Sequence, residues 1–214
     1  MKEKRWTIAL TGASGTIYAR KLVKILIEHD PATMLDLVIS DGALRVLREE
    51  DNISTSHGLG SSAEKVSEEL FGLTSARIVF HNPRDTGAAI ASGSYPSSGM
   101  VIVPCSMSTL GCIANGVVMH LVHRAAEVTL KENRKLIVVP RETPLTSINL
   151  ENMLKLRQAG AVIMPAMPGF YQQPTSIDDL AEYFAMRITD QLGYNFDFKP
   201  RWGQASAQTA KNGF

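Results

Sequence analysis

Three apolar runs in the second half of the chain constrain its fold most. The runs at 100–103, 136–139 and 161–164 contain no polar residue, and helical patterns separate them. Strands without polar alternation are typical of a parallel sheet that helices cover on both faces. The sequence therefore predicts one doubly wound α/β domain over residues 1–203, followed by a small, polar and flexible tail over residues 204–214.

The first half of the chain continues this pattern. Strand-like runs at 6–10 and 35–39 precede helical patterns, which include 42–48 and 64–71, and 77–80 is a weaker strand prediction. We also predict a helical region over 109–131, a helix over 149–158, and a last helix that Ser176 and Asp179 begin as a capping pair. The stretches 51–63 and 82–98 are rich in turn residues and are predicted as irregular.

The balance of charged residues excludes some classes of partner. The 214 residues include 22 Lys and Arg and 21 Asp and Glu, a formal net charge of +1, so binding to nucleic acid or to an anionic membrane is not expected. No apolar run reaches the length of a membrane span. Cys105 and Cys112 are too few for a disulfide framework and lack metal-ligand partners, so we expect buried reduced thiols, no metal site and a cytoplasmic location.

A glycine-rich turn follows the first predicted strand. Gly12, Ala13, Ser14 and Gly15 lie where the strand leads into a helix, and glycines there let backbone N–H groups approach an anion. The alternative is a tight turn in which Ser14 only caps the helix. Because the full Gly-x-Gly-x-x-Gly pattern is missing, a mononucleotide is favoured over a dinucleotide.

A second polar turn follows the run at 100–103. Ser106, Ser108 and Thr109 offer three hydroxyl groups and backbone donors before a helix, which suits a phosphate group. Helix capping accounts for one of these residues but not for all three.

A charged pair follows the run at 136–139. Arg141 and Glu142 lie between Pro140 and Pro144, which makes their position rigid. A carboxylate at a ligand-facing strand end can transfer protons. We therefore favour a functional role over an exposed ion pair, which would contribute little to stability.

Other polar residues lie outside these turns. Arg124 and Lys131 are seven residues apart and share one face of a predicted helix, and Arg187 lies on the last helix. Taken alone, each of these three basic residues is explained by a position on a solvent-exposed helix face. Tyr171 follows a Pro-rich turn that can place its phenol at the rim of the same site.

Taken together, these motifs resemble the UbiX family of flavin prenyltransferases. The resemblance runs in the family's order from Ile8 to Trp202, and its most specific part is Pro140-Arg-Glu-Thr-Pro144 followed by Leu150-Glu-Asn-Met-Leu154. The other matching segments are Gly12-Ala-Ser-Gly15, Ala91-Ser-Gly-Ser94, Pro104-Cys-Ser106, Arg124-Ala-Ala-Glu127, Leu130-Lys-Glu132, Gly169-Phe-Tyr171 and Pro200-Arg-Trp202.

The resemblance implies a flavodoxin-like, Rossmann-like fold and a metal-independent prenyltransferase. Such an enzyme joins dimethylallyl monophosphate to reduced FMN at N5 and C6, and its product, prenylated FMN, is the cofactor of UbiD-type decarboxylases. Cations held against the allylic phosphate stabilise the departing charge. The family also implies a homo-oligomer, a dodecamer built from trimers, with sites between protomers.

The resemblance also assigns roles to matching residues. Those implied to bind FMN are Gly12, Ala13, Ser14, Ser40, Ser106, Met107, Ser108, Thr109, Arg124 and Arg141, of which Arg124 can come from a neighbouring subunit. Those implied to bind the prenyl donor are Ser92, Gly93, Lys131, Tyr171, Arg187 and Trp202. The implied catalytic residues are Ser14, Glu50, Lys131 and Glu142, with Glu142 in proton transfer and the neighbouring Glu49 as an alternative to Glu50.

Two other functions stay open. A flavin-dependent cysteine decarboxylase shares the fold and FMN, but those enzymes carry Pro-Ala-Ser-Ala-Asn-Thr where this chain has Ala91-Ser-Gly-Ser94. A non-catalytic flavin-binding subunit would not need cations for a phosphorylated substrate.

The chain departs from the UbiX pattern at one place, where it has Thr86 near the position at which some relatives carry Trp.

Overall fold

The structure, a computed structural model, describes residues 4–53 and 63–196. Trp202, the predicted tail at 204–214 and most of the predicted loop at 51–63 lie outside the described residues. The described helices and strands are β1 (Lys4–Leu10), α1 (Thr16–His29), β2 (Thr33–Ile39), α2 (Asp41–Asp51), α3 (Ala63–Phe71), β3 (Ile78–His81), a 3-10 turn (Ala89–Ala91), β4 (Gly99–Cys105), α4 (Met107–Ala114), α5 (Leu121–Lys131), β5 (Lys135–Pro140), α6 (Ser147–Gln158), β6 (Val162–Ile163) and α7 (Ile177–Gln191).

The described strands form one parallel sheet in the order β3-β2-β1-β4-β5-β6. This confirms the predicted doubly wound α/β fold. The strand order reverses between β1 and β4, and the chain leaves these two strands toward opposite faces. In folds of this kind the reversal opens a crevice at the carboxyl edge of the sheet.

Two apolar layers cover the two faces of the sheet. Along β4, Val101 and Val103 face the layer that contains α1 and α7, whereas Met100 and Ile102 face the layer that contains α4 and α5. Because successive residues of a strand point to opposite faces, both sets must be apolar, which explains the absence of polar alternation. Burial of each such side chain contributes about 1.5–3 kcal/mol.

The helical region predicted over 109–131 is two helices, so that prediction is corrected. Gly116 adopts a φ of +67° and its N–H bonds to the Ile113 carbonyl at 3.2 Å, which turns the chain away after Ala114. The apolar residues at 117–119 continue the hydrophobic pattern across this break and concealed it. The capping pair at Ser176 is confirmed, with the Asp179 N–H donating to Ser176 Oγ at 3.0 Å.

No helix in the described parts of the chain has the length and apolar content needed to cross a membrane.

Candidate active site

Three turns are fixed against one another where the strand order reverses. A Cβ at Gly12 would lie 3.2 Å from the Gly42 Cα, so the turn after β1 and the start of α2 approach backbone to backbone. The buried Thr11 hydroxyl donates to the Pro104 carbonyl at 2.9 Å and accepts the Ser106 N–H at 2.8 Å. These contacts hold the turns after β1, β2 and β4 in one rigid group.

Two helices begin in this group with a serine N-cap. Ser40 Oγ accepts the Ala43 N–H at 3.2 Å at the start of α2, and Ser106 Oγ accepts the Thr109 N–H at 3.3 Å at the start of α4. Ser106 Oγ also lies 3.1 Å from the hydroxyls of both Ser108 and Thr109. Ser106 is thus a helix cap, and three hydroxyls still cluster around the positive end of α4, where an anion is favoured.

A cavity of about 340 Å³ lies between the two helix starts. Its lining is mostly hydroxyl groups and backbone, and it consists of Gly12, Ser40, Asp41, Gly42, Pro83, Arg84, Ser106, Ser108, Thr109 and His120. We refer to this space as the hydroxyl cavity. Its hydroxyl groups and the two helix N-termini suit a phosphate group.

The turn after β5 lies beside this group. Arg141 donates from Nε to the Ser14 carbonyl at 3.3 Å and from its backbone N–H to the Cys105 carbonyl at 3.3 Å. Glu142 is exposed and lines a second cavity of about 420 Å³. The rest of the lining of that cavity is mainly apolar and includes Leu145, Met153 and Met167.

A carboxylate from α2 reaches the glycine-rich turn. Glu50 Oε2 accepts the Gly15 N–H at 3.0 Å, whereas Glu49 points away and pairs with the exposed Arg45 at 2.9 Å. Gly15, with a φ of +103°, is the N-cap residue of α1. The structure therefore differs from the alternative in which Ser14 caps the helix, and it places Glu50 rather than Glu49 beside the turn.

Lys131 lies at the amino edge of the sheet, opposite the carboxyl edge where these turns lie. It ends α5 just before β5 begins, and its Nζ is 3.2 Å from Glu132 Oε1. A Cβ on Gly93 would lie 3.2 Å from the same Nζ. From Gly99 to Cys105, the seven residues of β4 separate the two edges by about 20 Å at ~3.3 Å per residue.

The other predicted donor-binding residues divide between the two faces of the sheet. Ser92 precedes Gly93 and belongs to the face that carries Lys131; Arg124, which is implied to bind FMN, pairs with Glu127 at 2.7 Å on α5 and lies on the same face. Tyr171 and Arg187 belong to the other face, where α7 packs. The Tyr171 hydroxyl lies 2.9 Å from the Tyr183 hydroxyl.

Tyr183 hydrogen-bonds to Tyr171, lies near the charge of Arg187, and was missed from the sequence. Burial, and then the hydrogen bond with Tyr171, raise the pKa of Tyr183, while the positive charge of nearby Arg187 opposes them. The phenol therefore stays protonated at neutral pH. Its position four residues before Arg187 on a helix is the signal that could have identified it.

One chain thus gathers most of the residues implied to bind FMN but not those implied to bind the donor. Arg124 is the described exception among the former, because it lies on α5 away from the hydroxyl cavity lining. The donor set splits into a group around Lys131 and a group around Tyr171, on opposite faces of the sheet. Trp202 lies outside the described residues.

The two cysteines differ in burial. Both are free, and Cys105 is fully buried, which raises the pKa of its thiol. Cys112 is only half-buried. The prediction of buried reduced thiols holds for the first and only in part for the second.

Comparison with known proteins assigns a class to this fold and cavity. The family model described as "Flavoprotein" matches residues 1–188. The flavin prenyltransferase UbiX of Alkalihalophilus pseudofirmus is 45% identical over 202 residues, which cover 94% of this chain and 98% of that protein. The flavin prenyltransferase LpdB of Lactiplantibacillus plantarum is 43% identical over 199 residues, 93% of this chain and 98% of that protein.

Solved structures agree with this assignment. A dodecameric FMN-dependent UbiX-like decarboxylase from Escherichia coli matches with a TM-score of 0.79 and 38% identity, covering 92% of this chain and 98% of that one. AnUbiX, solved with FMN and dimethylallyl pyrophosphate, matches with a TM-score of 0.79 and 34% identity, covering 94% of this chain and 100% of that one. The chain belongs to the flavoprotein family and, within it, to the UbiX-type flavin prenyltransferases.

More distant structures share only the fold. MrsD of a Bacillus species is 18% identical with a TM-score of 0.57, and the cypemycin decarboxylase CypD is 15% identical with a TM-score of 0.55. These values show a common architecture only.

Proposed function

We propose that this chain is a flavin prenyltransferase that joins dimethylallyl monophosphate to reduced FMN at N5 and C6. The product is prenylated FMN, with a UbiD-type decarboxylase as its recipient. The observation that carries the proposal is the rigid group of turns at the carboxyl edge, where two helix N-termini, three clustered hydroxyls and the Arg141–Glu142 pair adjoin.

The residues at this edge fit a flavin nucleotide. The hydroxyl cavity, lined by Ser40 and the turn at 106–109, would hold the phosphate, because two helix N-termini and several hydroxyls face it. Gly12, Ala13 and Ser14 would hold the flavin ring, and Arg141 would support that turn through its bond to the Ser14 carbonyl. When bound, reduced FMN supplies the nucleophilic N5 and C6 atoms.

Glu142 is the residue we assign to proton transfer. It is exposed to the second cavity, whose apolar wall suits a five-carbon allyl group. A carboxylate next to that wall can accept a proton from a carbon or nitrogen held there. Glu50 occupies the N-terminus of α1 and would fix the turn beneath the ring.

The donor phosphate site requires more than one copy of the chain. Lys131 and the Tyr171–Tyr183–Arg187 group lie on opposite faces of one protomer, so neighbouring copies would have to bring them to the same phosphate. Ser92 and Gly93 lie on the Lys131 face and would enter with it, and Arg124 on the same face would contact the FMN of a neighbouring copy. A homododecamer built from trimers, like the dodecameric relative, would provide such junctions.

The decisive experiment is anaerobic incubation of the protein with reduced FMN and dimethylallyl monophosphate, followed by mass spectrometry of the flavin. We expect a gain of one five-carbon unit, and a parallel reaction with the diphosphate tests the donor preference. An unchanged flavin with turnover of a cysteinyl peptide would instead support a cysteine decarboxylase, and flavin binding without turnover would support a binding subunit. A cytoplasmic location remains a prediction, tested by cell fractionation.

A further inference from the structure

A stacked pair of histidines, one of which lines the hydroxyl cavity, has no part in the proposed reaction. The rings of His120 and His123 stack with their centroids 3.9 Å apart. His120 precedes α5 and lines the cavity next to the hydroxyls of α4. His123, one turn into α5, is buried behind it with an exposed fraction of 4%.

The hydrogen bonding of this pair is incomplete. His123 Nδ1 accepts the Met119 N–H at 3.1 Å, so the neutral ring carries its proton on Nε2. That Nε2 and His120 Nδ1 are both buried without a partner in the part of the chain that the structure describes. Buried polar atoms without partners are rare because they are costly, and each requires an explanation.

The charged groups around the cavity leave an anion uncompensated. Among the lining residues, only Asp41 and Arg84 carry fixed charges, and they pair with each other at 2.9 Å. Asp41 comes from α2 and Arg84 from the turn after β3, while α4 contributes only hydroxyls. Among the lining residues of one chain, a phosphate dianion in this cavity would therefore find no net positive charge unless His120 becomes charged.

The surroundings of both rings favour their neutral form. Burial lowers the pKa of His120, with Asp41 opposing the shift. Burial, and then the neighbouring His120, lower the pKa of His123 to about 4. A nearby negative charge acts in the opposite direction and favours the protonated form, so an arriving phosphate would draw a proton onto the pair.

We propose that His120 contacts the phosphate of the bound flavin nucleotide and that the His120–His123 pair takes up a proton when this phosphate binds. The inference rests on the proposed function, because it assigns the hydroxyl cavity to the phosphate of FMN. It adds a binding residue and a proton linkage to that site. The same chemistry would serve any phosphate monoester, so the donor phosphate must be tested separately.

The first test measures protons by isothermal titration calorimetry at pH 7 in two buffers with different ionisation enthalpies. Wild-type protein should take up a fraction of a proton, at most about one, for each FMN bound. His120→Gln keeps a hydrogen-bond donor but cannot titrate, so its uptake should be smaller. Riboflavin, which lacks the phosphate, should show no difference between the two proteins. Equal uptake of protons by wild type and His120→Gln would overturn the proposal.

The second test compares affinities by flavin fluorescence quenching. His120→Leu should weaken FMN binding about tenfold and leave riboflavin binding unchanged, since one charge-assisted hydrogen bond is lost. Parallel losses for both flavins would mean that His120 only supports the fold, which contradicts the proposal. Wild-type protein that bound neither flavin would contradict the proposed function itself. If dimethylallyl monophosphate alone caused the His120-dependent proton uptake, the pair would serve the donor, and the assignment to FMN would be wrong.

Discussion

The carboxyl edge of the sheet and the two donor-binding groups differ in how their residues are held. At the carboxyl edge, buried hydrogen bonds through Thr11 and close backbone contact between Gly12 and Gly42 fix the geometry within one chain. Lys131 and Arg187 are each about half exposed. Lys131 pairs with Glu132 just after α5, and Arg187 pairs with Asp190 on α7. In the proposed site, the fold of one chain would therefore build the flavin half, and assembly of several copies would build the donor half.

The largest expected effect tests the chemistry that joins the two halves. Glu142→Gln should slow prenyl transfer by about 10²–10⁴-fold because it removes the proposed proton acceptor. FMN should stay bound, since Glu142 does not line the hydroxyl cavity. Rates come from flavin mass over time, and retention comes from absorbance of the purified protein. Glu151→Gln, a matched change at an exposed site on α6, is the control; a wild-type rate for Glu142→Gln would remove Glu142 from the mechanism.

Lys131→Ala tests the donor half of the comparison. We expect kcat/KM for the prenyl phosphate to fall roughly 100-fold, because one cation on the departing phosphate is lost. The affinity for FMN should not change, because Lys131 lies at the other edge of the sheet. Lys24→Ala, an exposed lysine on α1, controls for loss of charge. Equal losses of donor use and FMN affinity would mean that Lys131 serves the flavin.

Mixed oligomers show whether Lys131 acts across a subunit boundary. Co-expressed Lys131→Ala and Glu142→Gln chains should recover about a quarter of wild-type activity, since a random mixture leaves that share of shared sites intact. If both residues acted within one chain, no mixed site would be intact and activity would stay at the level of the single variants. This outcome would contradict assembly of the donor site between copies.

Gly93→Ala should have a more moderate effect on the same half. A Cβ there would lie 2.3 Å from Glu132 Oε1 and 3.2 Å from Lys131 Nζ, so both flexible side chains must move. We expect kcat/KM for the donor to fall about tenfold because misplacement of a clamping group is costly. Gly87→Ala, in the same segment but with only Asp85 at 3.4 Å, should be nearly neutral. Full activity of Gly93→Ala would place the donor elsewhere.

The sequence predicted the two regions unequally, for physical reasons. Apolar strands and turn residues report local structure, so the sheet and the turns at Gly12, Ser106 and Arg141 could be predicted. Lys131 lies far from those turns because it ends α5 just before β5, and the apolar residues at 117–119 concealed that 109–131 is two helices rather than one. Glu49 and Glu50 are adjacent in sequence, and only the packing of α2 against α1 distinguishes them. The pairing of Tyr171 with Tyr183 required a loop to fold back on α7.

The smallest effect concerns the hydrogen bonds that make the flavin half rigid. Thr11→Val keeps the shape of the side chain but leaves the buried Ser106 N–H without its acceptor, which should cost about 1–3 kcal/mol of stability. For a chain of this size each kcal/mol lowers Tm by roughly 2–4 °C. FMN affinity should fall about fivefold, near 1 kcal/mol, because the turns after β1 and β4 lose their common anchor. Thr11→Ser retains the hydroxyl and should restore both quantities toward wild type. If Thr11→Val lowered Tm without changing FMN affinity, the hydroxyl would stabilise the fold without organising the site. The contrast between a preorganised flavin half and an assembled donor half would then lose its main support.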